Sequence, residues 1–220
     1  MQMLDPLVVQ ILLGVGFFLL ISTQIYIKVH KDRAVKTTRK PGSGNQESTV
    51  GQYRVIARVG AAAGSLLSFF VILNIFFLTF IRQYVPHFDI SVFTTPVQLV
   101  AFASTLFGCG IMFVAYRELG ANWLDGEQKG GHIPLPAEHE LVQTGIYKYT
   151  RNPLYFASYF VFGGFVFLLM DDIILVLYVI LVIGNHFQVL DEENALLDHF
   201  GEQYTQYCQR TGRFFPKWKR

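Results

Sequence analysis

Two short polar segments of the chain carry side chains that could do chemistry, and each one borders a long apolar run. The first segment, GIYKYTRNPLY at residues 145–155, combines three tyrosines with a lysine, an arginine and an asparagine. The second places Asp191, Glu192 and Glu193 in direct succession at the end of an apolar run. Adjacent carboxylates repel one another, and at the C-terminal end of a helix they also oppose the helix dipole. This pattern predicts a bound positive group or an arginine partner, with a solvated acidic turn as the alternative.

The apolar runs determine the class of protein. Hydrophobic side chains make up 52% of the 220 residues and charged side chains only 15%, whereas soluble domains have roughly 25% charged residues. An apolar run of about 18 residues or more is long enough to cross the hydrocarbon core of a bilayer as a helix. The sequence therefore predicts an all-α polytopic membrane protein with about five transmembrane helices, at about 6–27, 59–81, 97–116, 154–170 and 173–190.

The last two predicted spans should bring the polar segments together. Only Asp171 and Asp172 separate these spans, so we expect a tight antiparallel C-terminal helical hairpin. The hairpin would place both polar segments on the same membrane face, in a pocket with carboxylates, an arginine, tyrosine rings and an apolar wall. Beyond it, an apolar stripe at helical spacing predicts an amphipathic tail helix. The stripe consists of Leu196, Phe200, Tyr204 and Tyr207.

The distribution of Lys and Arg predicts the orientation. The loop after the first span, the loop after the third span and the tail hold nearly all of these residues, and Arg82 is the only one on the opposite side. An excess of Lys and Arg marks the cytoplasmic side of a membrane protein. We therefore expect the N-terminus outside and both polar segments on the cytoplasmic face, in the inner membrane of a bacterium or the endoplasmic reticulum of a eukaryote.

Other residue patterns argue against several kinds of site. Cys109 lies in an apolar run and Cys208 in the tail, and neither has a metal-ligand spacing. We therefore expect no disulfide, no metal site and no nucleic-acid partner. A channel or scaffold would place polar residues deep in the spans, where the sequence has chiefly Asn74.

The two polar segments also carry a pattern that resembles a known family. The first reads H-x-L-V-x-T-G-x-Y-x-x-x-R-N-P-x-Y from His139 to Tyr155. The second reads E-E-x-x-L-x-x-x-F-G-x-x-Y-x-x-Y from Glu192 to Tyr207. Together they resemble the isoprenylcysteine carboxyl methyltransferase family, which is related to the phospholipid methyltransferases, over about residues 119–215. The pattern departs from the carboxyl methyltransferases at Asn152, where they usually have histidine.

The resemblance implies an integral membrane methyltransferase that uses S-adenosylmethionine and takes a lipophilic acceptor from the bilayer, most simply a prenylcysteine-like carboxylate. A phospholipid or a small amine or thiol is the alternative acceptor, and a sterol-reductase-like NADPH oxidoreductase is the alternative enzyme. The resemblance implies a set of cofactor-binding residues: His139, Leu141, Val142, Gly145, Tyr147, Asn152, Tyr155, Glu192 and Glu193.

Three residues are candidates for catalysis, and a fourth, His186, is the alternative to one of them. Arg151 would hold the carboxylate of the cofactor in a two-bond contact. Arg210 would orient an anionic acceptor, and Glu193 or His186 would act as base if the acceptor is an amine or a thiol. We expect residues 1–118 to form a three-helix membrane region with a mobile loop at about 34–52, and residues 119–220 to form a methyltransferase-like catalytic region within one structural domain.

Overall fold

The computed structural model describes residues 3–38, 53–88, 94–120 and 140–217, and helices make up nearly all of this part of the chain. The α-helices are α1 (Pro6–Thr38), α2 (Arg54–Ile81), α3 (Thr94–Leu119), α4 (Pro153–Leu169), α5 (Asp172–Phe200) and α6 (Glu202–Arg210). A short 3₁₀ helix at Gly145–Lys148 precedes α4. Isolated bridges are the only β-pairing among the described residues. The all-α prediction is confirmed.

Four helices contain segments that are long and apolar enough to cross a membrane. These segments are Pro6–Tyr26, Val55–Ile81, Thr95–Leu119 and Asp172–Phe200. The fifth predicted span is α4, which has no charged residue and 17 residues in all. At 1.5 Å per residue α4 is about 26 Å long, slightly less than the roughly 30 Å thickness of the hydrocarbon core. The chain is a polytopic integral membrane protein.

Two helices extend beyond their predicted ends. Helix α1 continues to Thr38, so the first residues of the predicted mobile loop are helical, and residues 39–52 lie outside the described part of the chain. Helix α5 continues past the apolar run through the three carboxylates to Phe200. It ends where Gly201 adopts a φ of +52°, a conformation that glycine tolerates best. The loss of hydrophobicity at position 190 therefore does not mark the end of the helix.

The hairpin of α4 and α5 is tight at its turn but open along its length. Asp171 Oδ1 accepts hydrogen bonds from the backbone N–H of Ile173 at 2.8 Å and Ile174 at 3.1 Å, and so caps α5. The predicted short connection is thus confirmed. However, α4 packs mainly against α3, and α5 packs mainly against α2.

Glycines explain this pairing of helices. A Cβ at Gly60 of α2 would overlap the backbone of Gly184 of α5, and a Cβ at Gly164 of α4 would overlap Thr105 of α3. Small residues allow transmembrane helices to approach closely and gain dispersion contacts. The chain therefore forms two closely packed helix pairs, with the ring of Phe165 fully buried in the core.

Candidate functional site

The two polar segments meet at one end of the helix bundle. The Tyr155 hydroxyl donates a hydrogen bond to Glu192 Oε1. One residue further along α5, Glu193 Oε1 lies 2.9 Å from Arg151 Nη2. The prediction that the two segments come together is confirmed, whereas their position on one membrane face stays a prediction. Of the three carboxylates, Glu193 has the arginine partner that was one of the predicted possibilities.

The local backbone of the first segment determines where its side chains point. Gly145 has a φ of +52°, and the 3₁₀ helix that begins there buries the ring of Tyr147. Asn152 has φ −126° and ψ 58°, outside the helical region, because the residue before a proline is disfavoured there. Pro153 then starts α4 at a position where its missing N–H has no cost. The turn leaves the side chains of Arg151 and Asn152 directed at α5.

Glu193 is the centre of a buried ion cluster. Its Oε1 accepts hydrogen bonds from Arg151 Nε at 3.1 Å, Arg151 Nη2 at 2.9 Å and Asn152 Nδ2 at 2.9 Å. Its Oε2 accepts from Arg213 Nε at 3.0 Å and forms an ion pair with Arg213 Nη2 at 2.8 Å. A carboxylate has about four lone-pair directions, so these five N–H donors occupy its full capacity. Glu193 therefore ties the first segment to the C-terminal tail.

Arg151 is committed to protein groups in the same way. Besides Glu193, its guanidinium donates through Nη1 to the backbone oxygen of Thr211 at 2.6 Å. Burial lowers the pKa of Arg151, but the adjacent Glu193 carboxylate more than offsets this effect, so the pKa is raised and the guanidinium stays charged. Its role toward a cofactor carboxylate stays a prediction, and its observed role is to bind Glu193 and the tail.

Glu192 has a different environment, although it is the next residue. Its Oε1 accepts from the Tyr155 hydroxyl and from Gln188 Nε2, the latter at 3.0 Å. Its Oε2 has no hydrogen-bond donor among the described residues. The side chain is half-buried. Glu192 thus offers an oriented carboxylate oxygen that can receive a positive group.

Phenol rings surround these carboxylates and remain protonated. Burial raises the pKa of the Tyr147 phenol, and neighbouring groups including Tyr207 and Glu192 raise it further. The Tyr207 hydroxyl donates to the backbone oxygen of Tyr147 at 2.6 Å, which joins α6 to the first segment. The buried Tyr204 hydroxyl has no nitrogen or oxygen partner within the described ranges. The tyrosine-rich side of the site is therefore a neutral hydrogen-bonding wall.

The remaining predicted residues lie around this cluster. Leu141 and Val142 are half-buried in the segment before the 3₁₀ helix. Arg210 is exposed at the end of α6 and donates to Gln143 Oε1, so it is not part of the ion cluster. His139 lies outside the described residues. His186 is exposed, and its ring contacts that of Phe187.

Sequence reasoning missed three residues of the site. Arg213 follows the last tyrosine of the pattern by six residues, and the nearest signal was the basic character of the tail. Gln188 lies one helical turn before Glu192, a spacing that allows side chains to meet. Glu118, in the last turn of α3, sits against Gly145 so closely that a Cβ at this glycine would overlap its carboxylate. No local pattern marks Glu118.

Comparisons with known proteins show what the chain is similar to. Residues 97–203 match the sequence model of a family described as phospholipid methyltransferase. The fold is similar to a solved structure of a eukaryotic intramembrane Ras methyltransferase, isoprenylcysteine carboxyl methyltransferase, with a TM-score of 0.50 and 18% identity over 97% of this chain and 68% of that chain. No curated protein sequence matches the chain. The resemblance predicted from the two motifs is confirmed, and the family match together with the shared fold supports an integral membrane methyltransferase.

Proposed function

We propose that the chain uses S-adenosylmethionine to methylate a lipophilic acceptor, and that the acceptor is a prenylcysteine-like carboxylate. The observation that carries the proposal is the junction of Tyr155 with Glu192, where a half-buried carboxylate has one oxygen without a hydrogen-bond donor among the described residues. The match of this region to a methyltransferase family supports the type of reaction.

The described side chains fit a cationic methyl donor at Glu192 better than at Glu193. S-adenosylmethionine carries positive charge on its sulfonium and amino groups, and when bound it supplies an electrophilic methyl group. Glu192 Oε2 is available for one of these charges, whereas five N–H donors already surround Glu193. Tyr155 and Gln188 hold the Glu192 carboxylate in place through its other oxygen.

The chain contributes placement and exclusion of water. Transfer of a methyl group to a nucleophile is a direct displacement, so its rate depends on holding the reacting atoms in line. The rings of Tyr147 and Tyr207 are buried, and exclusion of water from a site strengthens its electrostatic contacts. No residue has to form a covalent bond with the substrate.

The geometry favours a carboxylate over an amine or thiol as the acceptor. A carboxylate is already ionised at neutral pH and needs no base, whereas a protonated amine has to lose a proton before it attacks. Glu193, one candidate base, has its lone pairs occupied. His186, the other, is exposed and lies two helical turns before Glu192. Arg210, exposed on α6, would have to exchange its hydrogen bond to Gln143 Oε1 for one to an anionic acceptor.

An apolar groove supports a lipophilic acceptor. A cavity of about 540 Å³ lies between α3 and α4 and reaches Tyr178 of α5. This volume falls within the roughly 300–1,000 Å³ typical of small-molecule sites. Tyr159 lines the groove, and its ring contacts that of Phe214 in the tail, with centroids 5.7 Å apart. We propose that the apolar chain of the acceptor lies here, below the reacting group.

A panel of acceptors tests the proposal. Purified protein in lipid nanodiscs is incubated with methyl-labelled S-adenosylmethionine and with a prenylcysteine, an aminophospholipid or a small thiol. We expect labelled ester only from the prenylcysteine. Transfer to the aminophospholipid alone would favour the second candidate, a phospholipid methyltransferase, which the description of the matching family supports. Binding of NADPH without binding of S-adenosylmethionine would contradict both.

A pair of variants tests the groove. Val100 lines it, and Val114 is an exposed valine of α3 that does not line it. Val100→Phe should raise the KM for a long-chain acceptor severalfold and leave the KM for a truncated acceptor unchanged. Val114→Phe should change neither. Equal effects of the two substitutions would contradict a chain-binding groove.

A further inference from the structure

We propose that Arg82 binds the phosphate of an anionic phospholipid, at the end of the bundle opposite the junction of Tyr155 and Glu192. Arg82 directly follows the apolar segment Val55–Ile81, which is long enough to cross a membrane. Its guanidinium therefore lies near the level of the lipid head groups. The inference concerns a second site and does not depend on the proposed function.

The turn that contains Arg82 lies against the turn between α4 and α5. Asp172 N, at the start of α5, donates a hydrogen bond to the oxygen of Pro86 at 3.2 Å. From Asp172 to Glu192, α5 then runs for about 30 Å at 1.5 Å per residue. A ligand at Arg82 is thus remote from the methyl donor that we place at Glu192.

The side chain of Arg82 has hydrogen-bonding capacity that the described part of the chain does not use. Its Nε and Nη2 are buried and have no hydrogen-bond partner among the described residues. Its backbone N–H, by contrast, donates to the oxygen of Leu78 at 3.0 Å. A buried donor without an acceptor is destabilising, and more so when it carries charge. The guanidinium therefore needs an anionic partner.

No described carboxylate neutralises Arg82. Every ion pair that joins two described residues involves Glu193, at the other end of the bundle. Asp171, in the nearby hairpin turn, caps α5 instead. Burial lowers the pKa of Arg82 without an opposing acidic neighbour, whereas Glu193 raises the pKa of Arg151. Within the described ranges, Arg82 is thus a cation without a counterion.

Two simpler explanations do not provide acceptors for the buried nitrogens. An arginine at a membrane border commonly extends its charged head into water, but Nε and Nη2 are covered by protein. A positive charge near the C-terminal end of a helix also interacts favourably with the helix dipole, but this interaction supplies no hydrogen bond. A phosphate supplies both a negative charge and oxygens that fit the guanidinium fork.

Neighbouring aromatic rings favour a phospholipid over a free anion. Phe80 is 63% exposed and Tyr84 is 71% exposed, and their ring centroids lie 5.0 Å apart. Aromatic side chains are enriched at the membrane–water interface, where they contact lipid directly. A lipid with a net negative head group fits better than a zwitterionic lipid, because the latter carries its own cation.

Binding requires the guanidinium fork to turn outward, and this movement breaks no hydrogen bond of the described structure. The residue as a whole is half-buried, so a ligand can reach it. Nε and Nη2 have no acceptor to give up. The phosphate oxygens therefore add hydrogen bonds without replacing existing ones.

Lipid retention by the purified full-length protein tests the site. Protein in neutral detergent micelles is mixed with phosphatidylglycerol, with phosphatidylcholine of the same acyl chains, or with inorganic phosphate, and native mass spectrometry counts the retained molecules. We expect Arg82→Gln to retain one phosphatidylglycerol fewer per chain than the wild type. Arg58→Gln is the matched control, because Arg58 is an exposed arginine at the other end of α2, and it should retain the wild-type number.

Unfolding by SDS distinguishes a lipid from a partner within the chain. Without lipid, Arg82→Gln should be at least as stable as the wild type, because it removes a charge that lacks a counterion. Phosphatidylglycerol should lower the unfolding equilibrium constant of the wild type at least about fivefold, because it binds the folded state. The same lipid should leave the unfolding constant of Arg82→Gln unchanged.

Each other result overturns a stated part of the proposal. Destabilisation of the lipid-free protein by Arg82→Gln would show that a partner within the chain holds the guanidinium. Equal retention by the wild type and Arg82→Gln, or the same loss in Arg58→Gln, would overturn a specific site. Equal retention of phosphatidylcholine, or displacement of the lipid by inorganic phosphate, would overturn the choice of an anionic lipid. None of these results depends on S-adenosylmethionine, so the proposed function stands or fails separately.

Discussion

Replacement of Glu193 by Gln distinguishes an anchor from a cofactor ligand. In the structure, Glu193 joins α5 to Arg151 of the first segment and to Arg213 of the tail. Glu193→Gln keeps the shape of the side chain and removes its charge. Two guanidinium groups would then face each other without a counterion, and the Arg151 side chain is only 9% exposed.

The expected size of the effect follows from burial. Removal of one partner from a buried ion pair destabilises by about 3–5 kcal/mol, because the other charge remains buried and unpaired. Loss of the outer pair through Arg213→Gln should cost about 1 kcal/mol or less, because that side chain is 38% exposed. We therefore expect Glu193→Gln to cost at least three times as much free energy of unfolding as Arg213→Gln.

Unfolding by SDS in mixed micelles, without donor, measures these free energies. Glu192→Gln is the matched control, since its Oε1 contacts with Tyr155 and Gln188 are compatible with an amide, and its stability should stay within about 1 kcal/mol of the wild type. A Glu193→Gln protein that is as stable as the wild type but no longer binds S-adenosylmethionine would refute the reasoning. Glu193 would then be a ligand of the donor and not an anchor.

Three further predictions test the fold around the site. Gly164→Ala should destabilise the protein by about 1–3 kcal/mol in the same unfolding assay, because the added Cβ would overlap α3. Gly110→Ala is the control and should not destabilise the protein, because there is open space around its Cβ. Equal effects of the two substitutions would contradict the close packing of α3 and α4. Burial raises the pKa of Asp171, although hydrogen bonds from the backbone N–H groups at the N-terminus of α5 oppose this effect. The unfolded state therefore ionises first, so wild-type stability should fall relative to Asp171→Asn as pH rises above about 4, and a parallel pH dependence of the two proteins would contradict this. Asp171→Ala should lose about 1 kcal/mol, because it removes the cap of α5. Tyr207→Phe should lose about 1 kcal/mol by leaving the Tyr147 carbonyl unpaired, and unchanged stability would show that water replaces the hydroxyl.

The meeting of the two polar segments was predictable because the connection between α4 and α5 is so short. The different environments of Glu192 and Glu193 were not. Successive residues of an α-helix point about 100° apart, so two adjacent glutamates on one helix face different surroundings. The sequence shows two equal carboxylates, and only the placement of Arg151, Asn152 and Arg213 around Glu193 makes it an anchor. Glu192 Oε2 has no hydrogen-bond donor in the part of the chain that the structure describes.

The hydropathy pattern likewise could not predict which helices pack against each other. Apolar runs predict how many helices cross the membrane, but they do not predict which helices touch, because every such helix presents similar apolar surface to lipid and to its neighbours. The close approach of Gly60 to Gly184 is visible only once the two helices are placed. The predicted orientation, with the N-terminus outside, stays a prediction, and so do the boundary at residue 118 and the role of His139.

Equilibrium binding of labelled S-adenosylmethionine to the wild type and to Glu192→Gln, in nanodiscs, tests the central claim most directly. The account predicts saturable binding by the wild type and an affinity at least about tenfold weaker for Glu192→Gln, since a hydrogen-bonded charge is worth about 1.5–3 kcal/mol. The free energy of unfolding should be nearly the same for both proteins. Equal affinity of the two proteins for the donor would contradict the claim that the free oxygen of Glu192 receives it.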